Sequence, residues 1–284
     1  MAGILYLCAT PIGNLADMTP RVIETLQGAD VIAAEDTRNS MKLLTHFDIH
    51  TPMTSYHEFN KVEKAYDLIR QLKEGRTIAL ITDAGTPGIS DPGEVLVRMC
   101  HEEGITVSSL PGACACITAL TMSGLPTRRF AFEAFLPSAD REKKERNRIL
   151  EDLRDETRTI ILYEAPHHLR ATLKDLYAAL GDRQMAICKE LTKRFESVKR
   201  LQLSEAIAFF ETEEPRGEYV LVLEGKSFQE LKAQKEASFE SISIEEHMER
   251  YESQGMDHKE AMKQVAKDRG LSKRDIYQYL VKNE

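Results

Sequence analysis

The chain has no GxGxxG after its first strand-like run and no GxxxxGK[ST] anywhere. The first absence excludes the usual dinucleotide fingerprint. The second argues against a nucleoside triphosphate, since both ligands need a glycine-rich loop around phosphate. The GxGxG-like turn of common Rossmann methyltransferases is missing too. None of the five cysteines, Cys8, Cys100, Cys114, Cys116 and Cys188, forms a CxxC pair. Cys114 and Cys116 stand too close for zinc-ligand spacing, so no metal site is expected. An odd number of thiols in apolar surroundings points to reduced, buried cysteines and a cytoplasmic protein. No apolar run approaches the roughly 20 residues of a membrane span. No basic segment precedes the apolar run at residues 4–10, so neither a membrane anchor nor a secretory signal is expected. Repeats and low-complexity tracts are absent. Net positive charge is also lacking: 38 Lys and Arg against 46 Asp and Glu give −8, which excludes nucleic-acid binding by bulk charge alone.

What is present describes a globular α/β protein. The 284 residues, 42% hydrophobic and 30% charged, suit two domains. ILYLCAT (4–10), DVIAAED (30–36), TIALITD (77–83) and ITVSSLP (105–111) read as buried strands. Helical patterns separate them, such as 61–74 with Val62, Ala65, Leu68, Ile69 and Leu72 on one face. Buried strands alternating with helices predict a mostly parallel sheet covered on both sides. SGLPTRR (123–129) breaks this pattern, so the first domain is set at 1–124 and a second at 125–226. In the second, the strands FAFEAFLP (130–137), TIILYEA (159–165), MAICKEL (185–191) and GEYVLVLEG (217–225) lie closer together, which predicts a mixed sheet. Residues 226–240 read as a polar linker. Residues 241–284 read as a small three-helix unit with caps at Ser243, Asp257 and Ser272, and with Tyr279 among its inward side chains.

Positive charge is concentrated in two places. Residues 141–148 hold five basic and two acidic residues, a local +3, and residues 259–274 hold six and two, a local +4. Lys259, Lys263 and Lys267 repeat every fourth residue, so they share one helix face. That face is either simply solvated or placed to meet phosphate.

Three turns follow strands of the first half: ATPIGNL (9–15), DAGTPGISDPG (83–93) and LPGACA (110–115). Ligands of open α/β sheets bind outside the carboxyl ends of the strands, so these turns mark one rim as a ligand site. Together with AAEDTR (33–38), SGLP (123–126), YEAPHHL (163–169), KELTK (189–193) and GEYVLVLEG, they resemble the 16S rRNA (cytidine-2′-O)-methyltransferases of the tetrapyrrole-methylase superfamily. The resemblance runs over residues 4–225. Ala113, His168 and Lys189 depart from the usual pattern.

The resemblance implies the two-domain tetrapyrrole-methylase (class III methyltransferase) fold, S-adenosylmethionine as cofactor and a homodimer. It further implies methylation of the 2′-hydroxyl of cytidine 1402 (RNA numbering) in 16S rRNA of the 30S subunit. Matched by motif, cofactor contacts fall on Pro11, Asp83, Ala84, Gly85, Gly88, Cys114, Ala115, Tyr163, Glu164 and Leu191. A ribose hydroxyl is a poor nucleophile, so a general base is expected. Glu35 or Asp36, His57 or Glu58, and Glu190 with Lys193 are the candidates, with Asp36 and Glu190 carried forward. The plain alternative for Asp36 is a helix cap with Arg38 in an ion pair. The tail is expected to dock RNA. Two other functions share these features: a tetrapyrrole methyltransferase, and a non-catalytic ribosome-assembly protein that has kept the fold.

Overall fold

The computed structural model describes residues 2–239 and 242–283. The chain divides into two compact units, one of residues 1–151 with 158–224 and one of residues 152–157 with 225–284.

The larger unit holds two five-stranded sheets. The first has β1 (Ile4–Cys8), β2 (Val31–Ala34), β3 (Met53–Ser55), β4 (Ile78–Ile81) and β5 (Thr106–Leu110) in the order β3-β2-β4-β1-β5, every pair parallel. Strand side chains alternate between faces, and each face has its own helices. Ile32, Ala34, Ala79 and Ile81 cluster with Val22 and Leu26 of α1 (Pro20–Gly28) and Leu44 of α2 (Thr37–His46). Leu5, Ala33, Ile78 and Leu80 cluster with Leu68 and Leu72 of α3 (Lys61–Lys73) and Leu96 of α4 (Glu94–Glu102). Coverage on both faces explains why β2 and β4 are apolar and buried throughout. Val62 departs from the expected inward face. It lies in the first turn of α3, before burial begins at Ala65, and is 57% exposed.

The second sheet has β6 (Phe130–Phe135), β7 (Thr159–Glu164), β8 (Gln184–Lys189), β9 (Ser197–Gln202) and β10 (Tyr219–Leu223) in the order β6-β7-β10-β8-β9. Only β6 and β7 run parallel; the other pairs are antiparallel. β9 has no counterpart in the sequence reading, because SVKRLQ is polar enough to pass for loop. It pairs only with β8, as an edge. The short helix α5 (Ala115–Ser123) packs Cys116, Ala119 and Leu120 on Ile161, Ala186, Val220 and Val222. α5 thus follows the last strand of the first sheet and covers the second. Around this sheet lie α6 (Lys143–Leu153), α7 (Pro166–Leu180) and α8 (Leu203–Thr212). Arg146 of α6 is buried, donating to Asp175 at 2.9 Å, Thr172 Oγ1 at 2.9 Å and the Pro137 carbonyl at 3.0 Å. One of the five basic residues of 141–148 is therefore structural.

The smaller unit is helical: α9 (Phe228–Ser238), α10 (Ile244–Ser253), α11 (His258–Asp268) and α12 (Lys273–Asn283). The expected linker is the helix α9, which starts on a capping box between Ser227 and Glu230. Ile244, Met248, Ala261, Met262, Val265, Ala266 and Ile276 form its core. His247 is buried there, stacked on Phe239 with ring centroids 4.2 Å apart, and Arg269 Nε donates to its Nδ1 at 3.2 Å. Tyr279, expected inside, is 39% exposed, since Ile276 and Leu280 already fill the inward face of α12. Lys259, Lys263 and Lys267 all face solvent.

Among the described residues, no helix is long and apolar enough to cross a membrane, and no cluster of His, Cys, Asp or Glu is placed to hold a metal. All five cysteines are free thiols.

Candidate active site

In the first sheet the chain leaves β1 toward β2 on one side, and later leaves β4 toward β5 on the other. The loops after these neighbouring strands part company, and a crevice opens at their carboxyl ends. Thr10 and Gly85 bridge the two loops, each N–H donating to the other's carbonyl at 2.9 and 3.1 Å. Gly85 sits at φ +88, in the left-handed region, and a Cβ there would lie 3.3 Å from Ile12 Cγ2. The loop after β8 closes the crevice from the second sheet. A Cβ on Gly13 would lie 2.9 Å from Thr192 Oγ1 and 3.1 Å from the Leu191 carbonyl, so only glycine lets these loops meet.

The resulting cavity, of about 500 Å³, falls in the size range of small-molecule sites. Of the residues that the resemblance matched to the cofactor, Asp83, Ala84, Gly85, Cys114, Ala115, Tyr163, Glu164 and Leu191 line it. Pro11 does not, although its neighbour Ile12 does, and Gly88 faces a separate cleft with Gly93 and Val97. Ile12, Ala84, Ala115, Leu191 and Val220 make apolar walls. Five acidic residues, Glu35, Asp83, Asp91, Glu164 and Glu218, also line the cavity, the Glu218 carboxylate accepting from Lys193 Nζ at 2.8 Å, and no Lys, Arg or His lines it among the described residues. The cavity is strongly anionic.

Each carboxylate is held differently. The Thr82 hydroxyl donates to Glu35 Oε2 at 2.6 Å, and Asp83 Oδ1 and Oδ2 accept from the Asp36 N–H and the Asn39 amide, both at 3.3 Å. Asp91 is pushed up to about 6 by burial, with the like charges of Glu35 and Asp83 adding to it. Cys114 caps α5 and its thiol sits 3.4 Å from that of Cys116. The hydrogen bond from Cys116 pulls Cys114 below the ordinary thiol range, helped by N–H groups of the first turn of α5. The Cys116 N–H donates to Tyr163 Oη at 3.1 Å, which ties α5 to the second sheet.

Neither carboxylate expected to act as base lines the cavity. Asp36 caps α2, accepting from the Arg38 N–H at 2.8 Å and from its guanidinium at 3.2 Å, and this pairing holds it below the usual carboxylate range. Glu190 accepts from Lys193 Nζ at 2.9 Å and from the Glu218 N–H at 3.0 Å. The sequence reading missed Asp91 as an acid, though it stands within the quoted DAGTPGISDPG turn. It also missed Phe135, Tyr219 and Val220, which carry no local signal. His57, Glu58 and His168 are not among the lining residues.

Residues 4–207 match the family model described as Tetrapyrrole (Corrin/Porphyrin) Methylases. The chain is 51% identical to ribosomal RNA small subunit methyltransferase I of Halalkalibacterium halodurans, over 97% of this chain and 93% of that protein. The protein of the same name from Synechocystis sp. is 47% identical over 97% and 96%. That of Thermotoga maritima is 43% identical, with 79% of this chain taking in 99% of its length. Among solved structures, diphthine synthase has a TM-score of 0.59 at 15% identity, covering 79% of this chain and 91% of that one. Uroporphyrin-III-C-methyltransferase from Thermus thermophilus has 0.55 at 19%, covering 78% and 94%; both likenesses concern the fold alone. An anionic crevice at the switch point of a parallel sheet, on a chain matched over 97% of its length by two of these relatives, leads to one conclusion: the chain belongs to the ribosomal RNA small subunit methyltransferase I family of the tetrapyrrole methylases and is a methyltransferase.

Proposed function

We propose that the cavity binds S-adenosylmethionine and that the chain methylates the 2′-hydroxyl of a cytidine, C1402, in 16S rRNA of the 30S subunit. The near full-length identity to enzymes named for the small ribosomal subunit carries this reading. The lining supports the cofactor: a volume of about 500 Å³, apolar walls and an excess of carboxylates suit a ligand with an adenine ring and positive charge. A fold neighbour, the Thermus thermophilus uroporphyrin-III methyltransferase, was solved with S-adenosylhomocysteine. The backbone at Asp83, Ala84 and Gly85, the start of α5 at Cys114 and Ala115, and Tyr163, Glu164 and Leu191 would hold it. When bound, the cofactor supplies a methyl group open to in-line displacement. The chain's task is then to place the hydroxyl and take its proton, and placement alone is worth ~7–11 kcal/mol. Asp91 is the suited base. With a value of about 6 it is mostly ionised at neutral pH yet still basic, whereas Asp36 and Glu190 are committed to partners.

Lys259, Lys263 and Lys267 on α11, with Lys273, Arg274 and the exposed Tyr277 on α12, suit the helical unit to phosphate contact. Phe59, Val62 and Tyr66 are 98%, 57% and 66% exposed at spacings of three and four residues, which supports a homodimer through the start of α3. The substrate places the enzyme in the cytoplasm. The test is transfer of tritiated methyl onto 30S subunits from cells lacking the gene, with the ribose mapped, alongside a uroporphyrinogen control. Label in the tetrapyrrole and not the subunit would overturn the reading.

A further inference from the structure

β6 carries an irregularity that aims one side chain. Phe130, Ala131 and Phe132 pair in step with Thr159, Ile160 and Ile161, but the next pair is Phe135 with Tyr163. Three residues advance on β6 while two advance on β7, so one residue is extra. Ala134 absorbs it at φ +52, a left-handed conformation that costs a non-glycine residue stability. Successive strand residues point to opposite faces, so without the extra residue Phe135 would stand on the face opposite Phe132. With it, both rings lie on the same side, 4.9 and 5.6 Å from the Tyr163 ring.

Phe132 is partly buried in the core beneath α5. Phe135 is not needed there: it is 54% exposed and lines the mouth of the cavity. A strained backbone that turns a large apolar ring toward solvent gives the fold nothing, and such strain gathers where a ligand is held. The electrostatics say which part of a ligand can meet it. Five acidic residues line the space and only Glu218 among them is paired with a lysine, Lys193, so the net charge stays negative and phosphates are repelled, while the neutral base and ribose of a nucleotide are not. An unpaired base has a flat π-face that stacks on aromatic side chains.

We propose that Phe135 is the stacking platform for the acceptor base and sets how that nucleotide enters the cavity. This rests on the rRNA reading above. The chemistry it selects is a base freed from its helix, with the backbone phosphates held outside. Losing the stack should raise the half-saturating concentration of RNA substrate by roughly 5- to 150-fold, the usual cost of ~1–3 kcal/mol per base.

The experiment compares Phe135→Ala, Phe135→Leu and Phe135→Tyr in the full chain on 30S subunits from cells lacking the gene. Saturation by subunits is measured, and S-adenosylhomocysteine affinity is followed by calorimetry. The alanine and leucine variants should need far more substrate to saturate, and tyrosine should restore the wild-type value, because only it keeps a π-face. Cofactor affinity should stay within about threefold. If leucine performs like phenylalanine, the ring acts only as apolar bulk and the inference is wrong. If alanine weakens S-adenosylhomocysteine to the same extent as the subunit, Phe135 belongs to the cofactor and the inference is again wrong. A wild-type protein that methylates no RNA would remove the rRNA reading and this inference together, whereas insensitivity to Phe135 in an active enzyme removes only the latter.

Discussion

The sheet-bearing unit and the helical unit hold together by different means. In the first, every cavity wall depends on residues distant in sequence: Thr10 meets Gly85, Gly13 meets Thr192, and Cys116 meets Tyr163. In the second, each helix begins on its own local cap. Ser227 pairs with Glu230 and Ser243 with Glu246, and Asp257 accepts from the Glu260 N–H at 2.8 Å. Among the described residues its core gathers seven buried apolar side chains. The first arrangement suits a site that must converge from many strands, and the second suits an appended binding element.

The sharpest test of the contrast is Asp91→Asn. It should lower single-turnover methyl transfer by ~10²–10⁴-fold at saturating cofactor and leave subunit binding intact. In the wild type, transfer should rise with pH through about 6 and then level off, as Asp91 ionises. Its stability contribution runs the other way. Burial raises Asp91 above its unfolded value, so the folded state favours the protonated acid, and that stability is lost as pH rises through about 6. Asp36→Asn, by contrast, should keep its rate within about threefold, since asparagine caps a helix about as well. A rate loss at Asp36 equal to that at Asp91 would move the base out of the cavity.

Ile276→Ala should break the comparison from the other side. Ile276 is fully buried in the helical core, and its truncation should cost ~2–5 kcal/mol, most of what so small a unit has. Differential scanning calorimetry should show a lower-melting transition for that unit, with S-adenosylhomocysteine binding unchanged. Loss of cofactor binding would mean that the two units do not act separately. The smallest effect is expected from Lys263→Ala, which removes one exposed charge. Subunit affinity should fall slightly, and the dependence of log affinity on log salt should flatten by about 0.7–0.9, the share of one phosphate contact. An unchanged slope would leave the lysine face merely solvated.

Much of the larger unit was legible because its signals are local. The apolar runs at 4–10 and 77–83 mark buried parallel strands, and the loops after them carry the glycines that a crevice needs. Eight of the ten residues that the family resemblance matched to the cofactor line one cavity. Pro11 and Gly88 do not: a motif places a loop at the rim, but not which of its residues turn inward. β9 was illegible because an edge strand with one neighbour needs no apolar pattern. The linker that proved to be α9 gathers its few apolar residues on no single face, so periodicity had nothing to show, although Ser227 and Glu230 were there to read.

Sequence alone determined most of the elements, the caps at Ser243, Asp257 and Ser272 and the family, because these depend on residue types at short spacing. Tertiary structure decided the chemistry. Asp36 and Asp91 are both aspartates in glycine-rich or charged motifs, yet one is paired with Arg38 while the other is half-buried beside Glu35 and Asp83. Phe135 turns toward the cavity only because one residue of β6 finds no partner on β7. Charge environment and strand register are set by which distant segments meet, and no short stretch of sequence contains that information.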